Sequence, residues 1–91
     1  MEVVVKSAPR LDTGTSKAFE EQVMTSITED CDKLVIDMED TTYISSICLR
    51  TLRNAFKEMK KKGGEFALRN VKQTIMEILE ITGFAGNFMI E

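Results

Sequence analysis

Ser45-Ser46 stands where a short apolar segment, Tyr43-Ile44, feeds a stretch of helical periodicity. A serine at such a junction caps the helix by accepting a backbone N–H, which is its commonest use there. The same place suits a phosphoacceptor, because the free N–H groups and dipole of a helix start tolerate a phosphate dianion. Spacing does not separate the two uses. Lys60-Lys61-Lys62 is basic enough to meet phosphate or anionic lipid, but at the end of a helix it reads first as a solvated complement to the dipole. Gly63-Gly64 has neither the upstream glycine nor the following Lys-Ser/Thr of a phosphate-cradling loop. Glu29, Asp30 and Asp32 lack the ligand spacing and central glycine of a calcium loop, and read as a solvated turn. Cys48 falls in the first turn of a helix, where a thiolate is favoured, yet with no histidine or resolving cysteine nearby it reads as a small buried residue.

Histidine is absent altogether. That removes Ser-His-Asp and Cys-His nucleophile arrangements, histidine-containing zinc sites and most general-base chemistry near neutral pH. Two isolated cysteines, Cys31 and Cys48, make neither a thiolate-only zinc site nor a disulfide framework. No catalytic, cofactor or metal site is expected, and the chain reads as a binding protein rather than an enzyme.

The elements that must position these residues follow from the hydrophobic pattern. Val3-Val4-Val5, ended by Pro9, predicts a strand at or near a sheet edge. Leu11 to Thr15 is turn chemistry, with Asp12, Thr13 or Thr15 able to cap a helix over Ser16 to about Thr28. Its face carries Ala18, Phe19, Val23 and Ile27, with Glu20 and Glu21 near its positive end. Lys33 to Met38 predicts a buried strand, and Asp40-Thr41-Thr42 a polar connection. A second helix runs to Lys62, burying Leu49, Leu52, Phe56 and Met59 and turning Arg50, Arg53, Lys57 and Glu58 outward; Gly63-Gly64 stops it. Phe66-Ala67-Leu68 predicts a third strand. Asn70-Val71 turns into a third helix with Ile75, Ile78, Leu79 and Ile81, stopped by Gly83; Phe88-Met89-Ile90 reads as a last strand or a docked tail. The methionines read as core filler. Alternating strands and helices predict an α/β layer on a largely parallel sheet.

The chain has 91 residues, enough for one domain spanning 1–91, and its 43% hydrophobic and 30% charged residues suit a globular fold. A net charge of −3 argues against a nucleic-acid partner. No apolar run approaches a membrane span and MEVVVKSAP lacks a signal-peptide pattern, so a cytoplasmic location without direct membrane contact is expected.

Tyr43-Ile44-Ser45-Ser46-Ile47-Cys48-Leu49-Arg50 resembles the signature of STAS domains, the family of bacterial anti-sigma factor antagonists and sulphate-transporter tails. Its usual form is a strand, then Tyr/Phe-Ile/Met-Asp/Ser-Ser-x-Gly-Leu opening the second helix. The likeness covers nearly the whole chain: Arg10-Leu11-Asp12-Thr13 resembles the family's Gly-Arg-Leu-Asp turn, Leu34-Val35-Ile36-Asp37 its central strand, Lys61-Lys62-Gly63-Gly64 its helix exit, and Ile78 to Phe84 its closing helix.

The resemblance implies an α/β fold: a single layer of mixed, largely parallel sheet with helices packed on it, here lacking the N-terminal edge strand that family members usually have. An open edge invites pairing with a partner or a second copy, so a homodimer through it is one expectation. The implied function is that of an anti-sigma factor antagonist, which binds an anti-sigma factor and frees a sigma factor. The anti-sigma factor, a serine kinase, would phosphorylate Ser46 and end the interaction, and a phosphatase would reset it. Partner contacts are expected at Asp12, Ser45, Ser46, Ile47 and Cys48, with Arg50 and Arg53 added by their place on the exposed face of the same helix. Ser45 and Cys48 stand where phosphorylation-regulated antagonists usually carry Asp and Gly. The alternative is a constitutive STAS scaffold or adaptor subunit of a regulatory or transporter complex, in which Ser46 is only a helix cap worth roughly 1 kcal/mol.

Overall fold

The β-branched run near the N-terminus forms strand β1 (Glu2–Lys6), and the apolar run Lys33–Asp37 forms β3, paired parallel from Glu2↔Lys33 to Lys6↔Asp37. The structure, a computed structural model, describes residues 1–84, 86 and 88–91. Its further elements are β2 (Arg10–Leu11), α1 (Ser16–Thr25), β4 (Tyr43–Ile44), α2 (Ser46–Lys61), β5 (Glu65–Arg69), α3 (Gln73–Ile81) and β6 (Met89–Ile90). The main sheet has the order β1-β3-β5-β6, and β2 and β4 form a separate pair. Every pairing among the described residues is parallel, as the expected largely parallel sheet implies. Phe88 is buried as the chain enters β6, which joins the sheet beside β5.

A strand order that steps one way through crossover helices puts all three helices on one face. The core lies there: Val5, Leu34, Ile36, Phe66 and Leu68 from the strands meet Phe19, Val23, Leu49, Leu52, Met59, Ile75 and Leu79 from the helices. On the opposite face the register aligns Val4, Val35, Ala67 and Met89 in one apolar row. Val35 and Ala67 are nevertheless fully buried. Lys33 reaches Glu91 at 2.5 Å and Arg69 reaches Glu91 at 3.1 Å and Glu2 at 3.9 Å, so their aliphatic stems pass over the middle of that row. These pairs draw the Glu91 carboxyl below its ordinary range, Lys33 first and Arg69 second.

Several expectations shift in detail. Helix α1 ends at Thr25 rather than Thr28, because the Thr25 and Ser26 hydroxyls bond back to Glu21 and Gln22 carbonyls at 2.6 and 2.7 Å and compete with a continuing ladder. Ala18 is exposed, and Glu20 and Glu21 lie beyond the first turn. Ile81, placed on the apolar face of α3, is 84% exposed at that helix's last residue. Met38 and Met59 fill the core, whereas Met1 and Met89 are exposed. Lys62 is not merely solvated: its ammonium binds the carbonyls of Thr28 and of Cys31, the latter at 2.7 Å, tying the end of α2 to the loop before β3.

The exit from α2 needs both of its glycines for different reasons. Gly63 has φ +78°, a left-handed conformation that costs a side-chain-bearing residue about 1 kcal/mol. A Cβ on Gly64 would stand 2.8 Å from the Asp32 carbonyl oxygen and 2.7 Å from the Met59 methyl, and Gly64 N donates to Met59 O at 2.8 Å. Denaturant unfolding should therefore show Gly64→Ala losing about 2–3 kcal/mol, more than Gly63→Ala at about 1 kcal/mol, since only the former pushes on backbone.

Candidate functional site

The β→α loops emerge at the carboxyl end of the parallel sheet, the end at which open α/β sheets place their sites. Two of those loops are bound together. The chain leaving β1 through Ser7–Pro9 and the chain leaving β3 through Met38–Thr42 meet at the buried Ser7 and Thr41 hydroxyls, 2.6 Å apart. Thr41 Oγ1 also donates to Ala8 O at 2.7 Å, and Thr42 N to Pro9 O at 2.8 Å. Strands β2 and β4 then pair, Arg10↔Tyr43 and Leu11↔Ile44, with Leu11 and Ile44 buried in the core. Ser45 N donates to Leu11 O at 2.7 Å, which sets the start of α2 beside the Asp12 loop. Thr41, read as part of a polar connection, is thus wholly buried, its polarity satisfied by these bonds.

Ser45, not Ser46, is the cap of α2. Its backbone is extended (φ −86°, ψ 165°) and its hydroxyl accepts from Cys48 N at 3.4 Å. Ser46 is the first helical residue and is exposed, with its hydroxyl outside the cap. Cys48, expected among the partner contacts, is fully buried, its thiol 3.9 Å from the Asp12 carbonyl. At that turn the helix faces the β2 loop, so no atom of Cys48 is open to a partner. Ile47 is 39% exposed.

Asp12 is half-buried and organises its own loop. Its carboxylate accepts from Thr15 N at 3.1 Å, while Thr15 Oγ1 accepts from Asp12 N at 3.0 Å and donates to Arg10 O at 2.8 Å. No side chain caps α1 directly; this reciprocal turn takes its place. Partial burial pushes the Asp12 carboxyl up, but hydrogen bonds from Thr15, Arg10 and Gly14 outweigh it and hold it below its ordinary value. Arg10 also lies over the Tyr43 ring, 4.6 Å from its centroid. Arg10 and the 41%-exposed Tyr43 therefore belong to this surface, though only their β-pairing, too short to show in a hydropathy pattern, brings them there.

Ser46, Arg50, Arg53 and Lys57 recur at i, i+4, i+7 and i+11, one stripe along α2, and all four are exposed. Neither arginine has an ion pair among the described residues. Arg53 and Lys57 line a groove of about 320 Å³ together with Phe56, Phe84 and Phe88. The structure thus gathers Asp12, Ser45, Ser46 and Ile47 at one corner and sets Arg50 and Arg53 one and two turns along from it. No group of three or more metal-ligating side chains occurs among the described residues, and none of their helices is long and apolar enough to cross a membrane.

A parallel sheet with helices on one face, two β→α loops pinned together and a serine opening the second helix are features of one domain class. The family model of the STAS domain matches residues 2–91, and the chain belongs to that family. The anti-sigma-B factor antagonist of Bacillus subtilis is 27% identical over 82 residues, which cover 90% of this chain and 74% of the relative. Among solved structures, an anti-sigma factor antagonist from Mycobacterium paratuberculosis superposes with a TM-score of 0.86 at 21% identity, covering 98% of this chain and 75% of that one. The anti-sigma factor antagonist SpoIIAA in its unphosphorylated form gives 0.82 at 16% identity, covering 99% and 79%. SpoIIAA of Bacillus in its phosphorylated form gives 0.74, also at 16% identity, covering 99% and 82%.

Two measurements check this geometry. In urea unfolding, Ser45→Ala should cost about 0.5–1 kcal/mol as the lost cap, while Ser46→Ala should be nearly neutral. For Asp12, a carboxyl depressed in the folded state contributes stability above its unfolded value, and that contribution is lost as the pH falls through the folded value. The stability gap between wild type and Asp12→Asn at pH 7 should therefore narrow as the pH falls below the ordinary carboxylate range and through the depressed folded value, as read by urea unfolding at a series of pH values.

Proposed function

We propose that this chain is an anti-sigma factor antagonist that binds an anti-sigma factor through the Asp12 loop and the outer stripe of α2, and that phosphorylation of Ser46 ends the interaction. The observation that carries this reading is the position of Ser46: exposed, first in its helix, and free of the capping duty that Ser45 performs. Its hydroxyl is open to a kinase, and modifying it breaks no bond that holds the helix start. The relatives named as anti-sigma factor antagonists, and SpoIIAA with its phosphorylated and unphosphorylated structures, support the same reading.

The chemistry of the switch is electrostatic. Arg50, Arg53 and Lys57 present cations to acidic groups of the partner, and Ile47, with the aromatic wall of the groove, supplies apolar contact. Phosphate brings nearly two negative charges to the head of that stripe. They repel the acidic groups that the arginines attract and oppose desolvation at the contact. Arg50, four residues on, is also within reach of the phosphate, in the anion-before-cation order that favours pairing on a helix. A phosphorylated Ser46 would then both repel the partner and occupy one of the cations that hold it. The partner is a serine kinase acting on Ser46, and a phosphatase returns the chain to its binding form.

The test is binding of an anti-sigma factor kinase from the same organism, measured by calorimetry. Ser46→Ala should bind within about twofold of wild type, Ser46→Asp at least tenfold more weakly, and Arg50→Ala about three- to tenfold more weakly. Equal binding by Ser46→Ala and Ser46→Asp would remove the switch and leave a constitutive adaptor.

A further inference from the structure

Arg10 opens β2 and Tyr43 opens β4, and the parallel register sets them side by side. Their neighbours Leu11 and Ile44 turn into the core, so the alternation of an extended chain turns Arg10, Asp12 and Tyr43 outward together. The Arg10 guanidinium lies over the Tyr43 ring, 4.6 Å from its centroid, and its Nε donates to Asp12 Oδ2 at 3.5 Å. The other Asp12 oxygen is engaged inside the loop, where Oδ1 accepts from Thr15 N at 3.1 Å. The ring on one side and the carboxylate at Nε thus hold the guanidinium in place. Among the described residues no second acceptor meets its terminal nitrogens. A fork held this way has given up much of its freedom before any ligand arrives, which lowers the cost of binding one.

We propose that Arg10, stacked on Tyr43, receives a carboxylate side chain of the anti-sigma factor, and that Asp12 serves as the positioning residue of Arg10 rather than as a contact of its own. The proposal rests on the reading of the chain as an anti-sigma factor antagonist. The terminal N–H groups of a guanidinium form a planar fork that matches a carboxylate in shape and charge, which an ammonium does not. The exposed part of the Tyr43 ring and Ile47 supply apolar surface around it, and tyrosine with arginine is the pairing that most often anchors an interface. Asp12 is the poorer contact. Its side chain is 35% exposed against 63% for Arg10, and both of its oxygens already have donors. Only Ile44 and Ser45 separate Tyr43 from Ser46 in the chain, and Ser45 N is bonded to Leu11 O, so the Arg10 fork belongs to the same corner as the phosphoacceptor. Phosphate on Ser46 then repels the carboxylate that Arg10 receives, which ties recognition and release to one contact.

Calorimetric titration with an anti-sigma factor kinase from the same organism tests the proposal. Arg10→Lys keeps the charge but loses the fork, and should bind about fivefold more weakly, while Arg10→Glu should lose about thirtyfold or more. Tyr43→Phe keeps the ring and should bind within about twofold of wild type, whereas Tyr43→Leu should lose about fivefold. Arg10 and Tyr43 are exposed, so circular dichroism should show the wild-type fold in each variant. Asp12→Asn can still make the turn with Thr15. It should weaken binding about threefold in the wild type and not at all in an Arg10→Ala background, because its effect passes through Arg10. An undiminished effect of Asp12→Asn without Arg10 would make Asp12 a contact in its own right and overturn its positioning role. Binding by Arg10→Lys and Tyr43→Leu equal to wild type, while Ser46→Asp still releases the partner, would overturn the carboxylate contact and leave the switch standing. Losses at Arg10 and Tyr43 together with equal binding by Ser46→Ala and Ser46→Asp would sustain the contact and remove the switch instead.

Discussion

The pairing of two very short strands, Arg10–Leu11 with Tyr43–Ile44, is the constraint on which the surface around Ser46 depends. A parallel sheet would deliver the β1→α1 and β3→α2 loops to the same end in any case, but only as neighbours. The Ser7–Thr41 hydroxyl pair, the Thr42–Pro9 bond and the Ser45–Leu11 bond turn neighbouring loops into one body. Leu11 and Ile44 seal that body to the core from beneath. Asp12 and Ser46, 34 positions apart in the sequence, then share a surface whose frame is held by these bonds, with the Asp12 carboxylate ordering its own loop in addition. Substitution at the surface can therefore alter recognition while the frame beneath it persists.

The parts of this arrangement that were legible in the sequence are those with a period long enough to count. Helix α2 announces itself through Leu49, Leu52, Phe56 and Met59, and β3 through three consecutive apolar residues that end up wholly buried. Strands β2 and β4 are two residues each, too short for any alternation, and the burial of Ser7 and Thr41 runs against their polarity. Their burial follows from bonds between residues 34 positions apart, which no local window contains. Val35 and Ala67 mark another limit. They are covered by the stems of Lys33 and Arg69, residues that on polarity alone would mark an open face. At the site, the strand-to-helix junction identified the serine pair, and the resemblance pointed to Ser46. Which serine caps the helix was a matter of one residue in register, and only the extended backbone of Ser45 decides it.

The two departures from the usual STAS signature become intelligible in this frame. Cys48 replaces glycine at a position turned wholly inward, against the Asp12 carbonyl, so its side chain fills space beneath the loop and does not alter the outer surface. Its backbone belongs to the regular helix, where no left-handed conformation is required and a Cβ carries no penalty. Ser45 replaces aspartate as the cap, and both residue types accept a backbone N–H well in that position. What changes is charge: with serine there, the unmodified head of α2 carries no carboxylate of its own beside Ser46. A phosphate added to Ser46 would bring the same charge beside either residue; with serine as the cap, none of it is already present on the helix itself. Serine in place of the aspartate of the usual signature thus leaves the cap in place and leaves the unmodified start of α2 uncharged at Ser45.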